Sequence, residues 1–134
     1  LIVFFLGAIM SFATGSSYGT FAILMIIVIP IAHTLGAPMT LTIAAVLSGG
    51  LFGDHTSPIS DTTVLASMAA GCAHIDHVST QFAYAAINGV MTMLAFVVAG
   101  FYQSPTIILG IIVVQFFVIR MAMKMYGHDA RGEA

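Results

Sequence analysis

The sequence predicts an all-α fold of polytopic transmembrane helices in which two segments are discontinuous or re-entrant. Three observations carry that prediction. The first is composition: of 134 residues, 60% are hydrophobic and 6% charged, against about 25% charged in a soluble domain. The second is where the charges lie. Residues 1–119 carry only Asp54, Asp61 and Asp76, while Arg120, Lys124, Asp129, Arg131 and Glu133 fall in the last 15 positions. The third is that two long apolar stretches, 1–33 and 39–71, are each interrupted near the middle by small and polar residues. With nothing basic before Arg120 to neutralise phosphates, nucleic acid is excluded as a partner. A single cysteine, Cys72, excludes a disulfide framework within the chain and any multi-cysteine metal site. The chain opens at Leu1 inside an apolar run, with no initiator Met and no basic leader. The expectation is a C-terminal piece of a longer, transporter-sized polypeptide.

The elements follow in chain order. The first stretch is interrupted at 11–20 and the second at 49–63, with the linker Thr34-Leu35-Gly36-Ala37-Pro38 between them. Each apolar arm is roughly 10–15 residues, shorter than the about 20 a spanning helix needs. Unwound backbone at membrane depth is tolerated only inside protein or beside a water-filled cavity, and paired broken helices point to a transport site. In the second interruption Pro58 is expected to open the next half-helix with Ser57 as its cap. Ser60, Asp61 and Thr62 then fall in or just after its first turn, where N–H donors face the site. A polar loop is expected over 72–80. Beyond it, 81–102 and 106–125 read as two continuous spans joined by the turn Gln103-Ser104-Pro105. Residues 1–126 are thus expected to form a transmembrane domain, and 127–134 a short polar cytoplasmic tail. Arg120, Lys124 and Arg131 place the C-terminal end in the cytoplasm by the positive-inside rule. Counting back, 106–125 runs inward, 81–102 outward and 39–71 inward, leaving 34–38 outside. Segment 1–33 is either a hairpin re-entering from outside or another crossing.

The charged and polar residues of the two interruptions carry the chemistry. A carboxylate at mid-bilayer costs about 2.5–3.5 kcal/mol even on the lenient insertion scale, so a functional role is the default for Asp54 and Asp61. A carboxylate removed from water holds a proton more readily, so proton and cation compete for it. The hydroxyls of Thr56, Ser57, Ser60 and Thr62, with carbonyls freed by the break, supply the oxygens a hard cation takes. The plainer alternative makes one Asp a helix cap and the other a paired structural group. The hydroxyls and glycines of the first interruption, Thr14-Gly15-Ser16-Ser17-Tyr18-Gly19-Thr20, are expected either to complete an ion site or to bind a substrate carboxylate through backbone N–H groups. Its glycines equally suit close helix packing, as the pairs Gly15/Gly19 and Gly49/Gly53. His55 is a candidate proton relay or a structural partner of Asp54, and His33 reads as interfacial. His74, Asp76 and His77 could hold Zn²⁺ or sense pH, and polar residues are also ordinary where a chain turns among headgroups. Phe116, Phe117 and Met121 read as lipid-facing or packing residues.

The run Gly53-Asp54-His55-Thr56-Ser57-Pro58-Ile59-Ser60-Asp61-Thr62-Thr63 closely resembles the NhaC family of Na⁺/H⁺ antiporters. The resemblance extends through 67–72 and 74–78, and upstream through 13–21, covering about residues 11–85. It implies a secondary transporter of the ion transporter superfamily, built from inverted repeats with hairpins and broken helices, and places this chain in the C-terminal repeat. It also implies Na⁺/H⁺ exchange, with malate/lactate-coupled exchange among relatives. The residues it implicates are Asp54, Thr56, Ser57, Ser60, Asp61 and Thr62, with Thr14 and Ser16. Ala73 and Ser79 depart from the family pattern, which has an acidic residue and an Arg there; this bears on regulation by the loop and leaves the ion site intact.

The leading expectation is therefore Na⁺/H⁺ antiport by alternating access at a buried carboxylate. The expected partners are Na⁺, H⁺, the lipid of the cell membrane, the missing N-terminal half of the same transporter and a second copy in a homodimer; no cofactor is expected. The nearest rival is an organic-acid exchanger, whose substrate needs N–H groups because 1–119 hold no Lys or Arg. A rival of another class is an intramembrane aspartyl protease. It requires two carboxylates sharing a proton, whereas Asp54 and Asp61 would stand about 10 Å apart on a continuous helix, Pro58 breaks that helix, and no Tyr-Asp partner motif appears. A third is a purely structural membrane subunit.

Overall fold

The computed structural model describes residues 1–102 and 106–126. The expected turn Gln103-Ser104-Pro105 and the tail 127–134 lie outside the described residues. The fold is all-α: α1 (Ile2–Thr14), α2 (Ser17–Thr34), α3 (Met39–Thr56), α4 (Asp61–Ala70), α5 (His74–Phe101) and α6 (Thr106–Tyr126).

The first interruption is a hairpin turn two residues long. Gly15 closes α1 in the left-handed region, at φ 67°, and its N–H donates to the Ser11 carbonyl. Ser16 follows in an extended conformation and caps α2, its Oγ accepting from the Gly19 N–H at 3.3 Å. Gly15 serves as this corner because an L side chain is disfavoured at such a φ, and a Cβ there would also stand 2.9 Å from the Ile59 carbonyl oxygen. Contacts with α3 give the directions of both arms. Along α1, Phe4 meets Gly49, Ala8 meets Gly53 and Phe12 meets Ser57, so α1 and α3 run parallel. Along α2, Ser17 meets Asp54 and Phe21 meets Gly50, so α2 returns antiparallel.

Glycines let α1 and α3 approach backbone to backbone. A Cβ at Gly49 would strike the Phe4 carbonyl, and one at Gly53 the Ala8 carbonyl and the Phe12 nitrogen. Gly49/Gly53 is thus a packing pair of the small-xxx-small kind. Gly15/Gly19 is not: Gly15 is a turn residue, and a Cβ at Gly19 would meet only Ser16, at ordinary distance. Below this contact Leu24, Val28 and Val46 form an apolar core with Val3, Met10, Phe21 and Met25 packed on it.

The second interruption is a break in a helix that carries on. α5 touches Ser67 of α4 at its start, through His74, and Phe52 of α3 at its middle, through Gly89. Hence α3 and α4 follow one another along a single antiparallel neighbour. The expected half-helix start at Pro58 is corrected: α4 begins at Asp61, with Ser60 in the cap position. Ser57-Pro58-Ile59-Ser60 instead forms a turn in which the Ser60 N–H reaches the Ser57 carbonyl at 3.4 Å, and proline suits the second position of such a turn as well as a first helical one.

Helix lengths also differ from expectation. α2 and α3 have 18 residues each, because both interruptions are tighter than their polar composition suggests. The 72–80 loop is mostly helix. α5 starts at His74, its first turn closed by the His77 N–H on the Ala73 carbonyl, and its 28 residues extend about 42 Å, against a hydrocarbon core of about 30 Å. α2 and α5 are long and apolar enough to cross a bilayer. α6 pairs with α5 through a 2.7 Å hydrogen bond from Gln115 Nε2 to Asn88 Oδ1.

The distribution of polarity is inside-out. Among the described residues the buried side chains include Ser11, Ser17, Thr20, Asp54, Thr56, Ser57, Ser60, Thr63 and Ser67, while Ile2, Ile26, Phe101, Leu109 and Phe117 are more than half exposed. A soluble chain does not expose so continuous an apolar surface; a bilayer requires it and draws polar groups inward. This is a multi-helix membrane protein.

Candidate ion-binding site at the meeting of the two helix breaks

Four helix ends converge on Asp54. The C-terminal ends of α1 and α3 and the N-terminal end of α2 arrive from one side, and the N-terminal end of α4 from the other, as the contacts of Phe12, Ser17, Phe21, Ser57 and Ser60 require. C-terminal ends present carbonyls and partial negative charge, and N-terminal ends N–H groups and partial positive charge. A cation and an anionic side chain can therefore both be accommodated there.

Asp54, in the last turn of α3, is 3% exposed. Its Oδ1 accepts from Ser60 Oγ at 2.7 Å, and its Oδ2 from Thr62 Oγ1 at 3.3 Å and from Ser17 Oγ at 3.5 Å. Ser60 and Thr62 are linked to each other at 2.8 Å. Each hydroxyl has one proton and two lone pairs. With the protons turned toward Asp54 the hydroxyls satisfy a buried carboxylate; with the protons turned away, the same oxygens face a cation held by that carboxylate. A short shell of Ser and Thr can thus serve both states without moving the backbone.

The expected residues divide into three groups. Asp54, Ser60 and Thr62 come together. Thr56, Ser57, Thr14 and Ser16 build the surrounding backbone instead. Thr56 Oγ1 donates back to the Phe52 and Gly53 carbonyls at 2.8 and 3.1 Å, and Ser57 Oγ donates to the Phe12 carbonyl at 2.8 Å, tying the two breaks together. Thr14 Oγ1 donates to the Met10 carbonyl at 2.9 Å, and Ser16 caps α2. Asp61 and His55 point elsewhere. Both are exposed, and the hydrogen bonds to the Asp54 carboxylate come from Ser17, Ser60 and Thr62. The reason is helical geometry: neighbours on a helix project about 100° apart, so burying Asp54 turns His55 outward. One residue is added. Ser17, beside the expected Ser16, is the contact from the first break, and its place at the start of α2 beneath the capping Ser16 was the available signal.

The grouping of His74, Asp76 and His77 is corrected. On the first turns of α5 they do not converge, and among the described residues no three His, Cys, Asp or Glu side chains could share a metal ion. His74 is engaged instead with Ser67 and Pro58. His33 is exposed in the last turn of α2, and Phe116, Phe117 and Met121 are exposed on α6. A protease dyad has no basis in this geometry, since Asp54 is buried among hydroxyls and Asp61 is exposed.

Comparison with known proteins agrees with a transporter and not an enzyme. An uncharacterized protein of Haemophilus influenzae is 42% identical over 125 residues, which is 92% of this chain and 24% of that protein. The malate-2H⁺/Na⁺-lactate antiporter of Bacillus subtilis is 43% identical over 94 residues, 70% of this chain and 20% of the antiporter. An arginine/ornithine antiporter of Halobacterium salinarum is 41% identical over 99 residues, 71% of this chain and 20% of that protein. The chain thus spans about a quarter or less of the length of these relatives. No solved structure matches. Residues 1–101, from the first hairpin through the last turn of α5, match the model of the Na⁺/H⁺ antiporter family, and the chain belongs to that family.

Proposed function

We propose that this chain is the cation-binding segment of a longer secondary transporter that exchanges Na⁺ for H⁺ by alternating access, with Asp54 holding one or the other. The observation that carries the reading is a buried carboxylate whose side-chain partners among the described residues are hydroxyls, at a junction of four helix ends. No Lys or Arg precedes Arg120, so a buried Asp54 has no fixed cation within that stretch of chain. A proton or a metal cation must neutralise it when the hydroxyls do not suffice. In the cation-loaded state Asp54, Ser60, Thr62 and Ser17 supply oxygens; release follows when a proton takes the carboxylate. An oxygen-rich, thiol-free site matches a hard ion.

The surrounding architecture belongs to the same proposal. The α1–α2 hairpin re-enters from outside, α3–α4 is the discontinuous helix facing it, and α6 ends in the cytoplasm, where Arg120 and Lys124 lie. An inverted repeat in the rest of the polypeptide completes the transport path, the whole resides in the cell membrane, and a homodimer is its assembly. The short share of each relative that the chain matches supports the view that other segments contribute.

A second reading draws on the similar antiporters, whose names specify malate and lactate or arginine and ornithine. Here the N-terminal ends of α2 and α4 receive an organic carboxylate, and Na⁺ or H⁺ accompanies it. The test is an acid-inside vesicle containing the complete transporter, with internal pH followed by a fluorescent dye. The Na⁺/H⁺ reading predicts that added Na⁺ alone collapses the gradient. Collapse only when malate or lactate is present with Na⁺ transfers the account to the organic-acid exchanger, and no response to either refutes both.

A further inference from the structure

We propose that His74 is a positioning residue for the cation site: it clamps the turn 57–60 through the Pro58 carbonyl and so holds Ser60 against Asp54. This rests on the reading of Asp54 as the cation carboxylate. The turn needs a clamp. Pro58 and Ile59 leave their side chains exposed, Ile59 at 64%, so side-chain burial does not fix the tip. From one side the turn is held by Ser57 Oγ donating to the Phe12 carbonyl at 2.8 Å. From the other, His74 Nε2 stands 2.6 Å from the Pro58 carbonyl oxygen. Ser60, which makes the shortest bond to Asp54, leaves the turn just beyond these two anchors.

Donor accounting fixes how the clamp works. The Pro58 carbonyl can only accept, so Nε2 carries a proton and donates it. His74 Nδ1 lies 3.1 Å from Ser67 Oγ, and that hydroxyl also lies 2.8 Å from the Val64 carbonyl. Ser67 has one proton. If it goes to Nδ1, the ring is the neutral Nε2–H tautomer and the bond to Val64 is given up; if it goes to Val64, Nδ1–H donates to Ser67 and the ring, protonated on both nitrogens, is an imidazolium. Either arrangement leaves Nε2–H on Pro58, so the clamp is independent of how the hydroxyl is turned. Ser67 is itself a firm base: it is 2% exposed, and its carbonyl accepts from the Cys72 N–H at 3.2 Å where α4 ends. The imidazole therefore spans from the end of α4 to the ligand turn. A ligand held in place before the cation arrives raises affinity because less ordering is left to binding.

The experiment measures the Na⁺ dependence of proton movement in vesicles containing the complete transporter. The variants are His74→Gln, His74→Asn and His74→Leu, and the last is repeated in a Ser60→Ala background. His74→Leu is expected to raise the KM for Na⁺ about five- to tenfold, the size of one lost hydrogen bond, with the maximal rate little changed. His74→Gln, whose amide reaches Pro58, restores most of the affinity, while the shorter Asn does not. With Ser60 already truncated, His74→Leu adds little, because it acts through Ser60. Should His74→Leu not accumulate in the membrane, the contrast between Gln and Asn decides. Equal KM values for wild type and every His74 variant overturn the proposal while the cation reading stands. So do effects of His74→Leu and Ser60→Ala that simply add. A wild type that moves no protons on Na⁺ addition overturns both.

Discussion

Replacing Gly53 by alanine inserts one methyl group between two helix backbones, and the structure gives the size of the collision. The new Cβ would stand 2.8 Å from the Phe12 nitrogen and 2.9 Å from Ser11 Cβ, with the Ala8 carbonyl closer still. Ordinary Cβ contacts begin near 3.4 Å, so α1 must retreat by about 0.6 Å or more from α3. None of these neighbours is the far end of a flexible side chain, so rotation cannot relieve the clash. Overpacking of this kind costs about 1–3 kcal/mol. The retreat also reaches the site. It stretches the bond from Ser57 to the Phe12 carbonyl, and it carries Ser17, already 3.5 Å from Asp54, out of hydrogen-bonding range. Thermal unfolding of the detergent-solubilised transporter should register the loss, and its KM for Na⁺ should rise. Gly19→Ala is the control from the other GxxxG pair. Its Cβ would meet Ser16 Oγ at 3.6 Å, and removing a glycine from a helix gains at most about 1 kcal/mol. A Gly53→Ala protein as stable as wild type, or a Gly19→Ala protein damaged as badly, would refute the assignment of close packing to α1 and α3.

Other substitutions separate the roles of the remaining polar groups. Ser60→Ala removes the 2.7 Å bond to Asp54; hydrogen bonds to charged groups are worth about 1.5–3 kcal/mol, so the KM for Na⁺ should rise about tenfold or more. Ser17→Ala, at 3.5 Å, should cost distinctly less in the same assay. Thr63 is buried with no partner for its Oγ1 among the described residues, so Thr63→Val should leave the melting temperature unchanged or raise it, by up to about 1 kcal/mol of stability. Asn88→Ala and Gln115→Ala should each loosen the α5–α6 pair, and a double-mutant cycle on unfolding should return a coupling of about 0.6–2 kcal/mol.

Much of this arrangement was legible in the residues. Glycines, hydroxyls and a proline inside apolar stretches do mark interruptions, because only such residues tolerate or satisfy unwound backbone in a membrane. Asp54 and Asp61 stood out together for the same reason, being acidic groups among hydroxyls inside an apolar stretch. What the sequence left open was direction. Gly15 reverses the chain while Pro58 only bends it, yet both read as breakers; contacts with α3 and α5 distinguish them. The two aspartates also looked alike, since composition carries no information about which face of a helix turns inward. The 72–80 segment was read as loop from its polarity, whereas a helix that outruns the hydrocarbon core carries polar residues in its first turns. Ser17 was passed over because the family resemblance pointed to its neighbour Ser16, and only the fold shows which of the two hydroxyls turns toward Asp54.

The difference between the two aspartates is also where the account is most exposed. In acid-inside vesicles bearing the complete transporter, Na⁺-driven collapse of the pH gradient should be compared for wild type, Asp54→Asn and Asp61→Asn. Buried Asp54 is held to carry the exchanged ion and exposed Asp61 is not. Exchange should be lost in Asp54→Asn and retained in Asp61→Asn. Full exchange in Asp54→Asn, or loss confined to Asp61→Asn, would contradict this assignment.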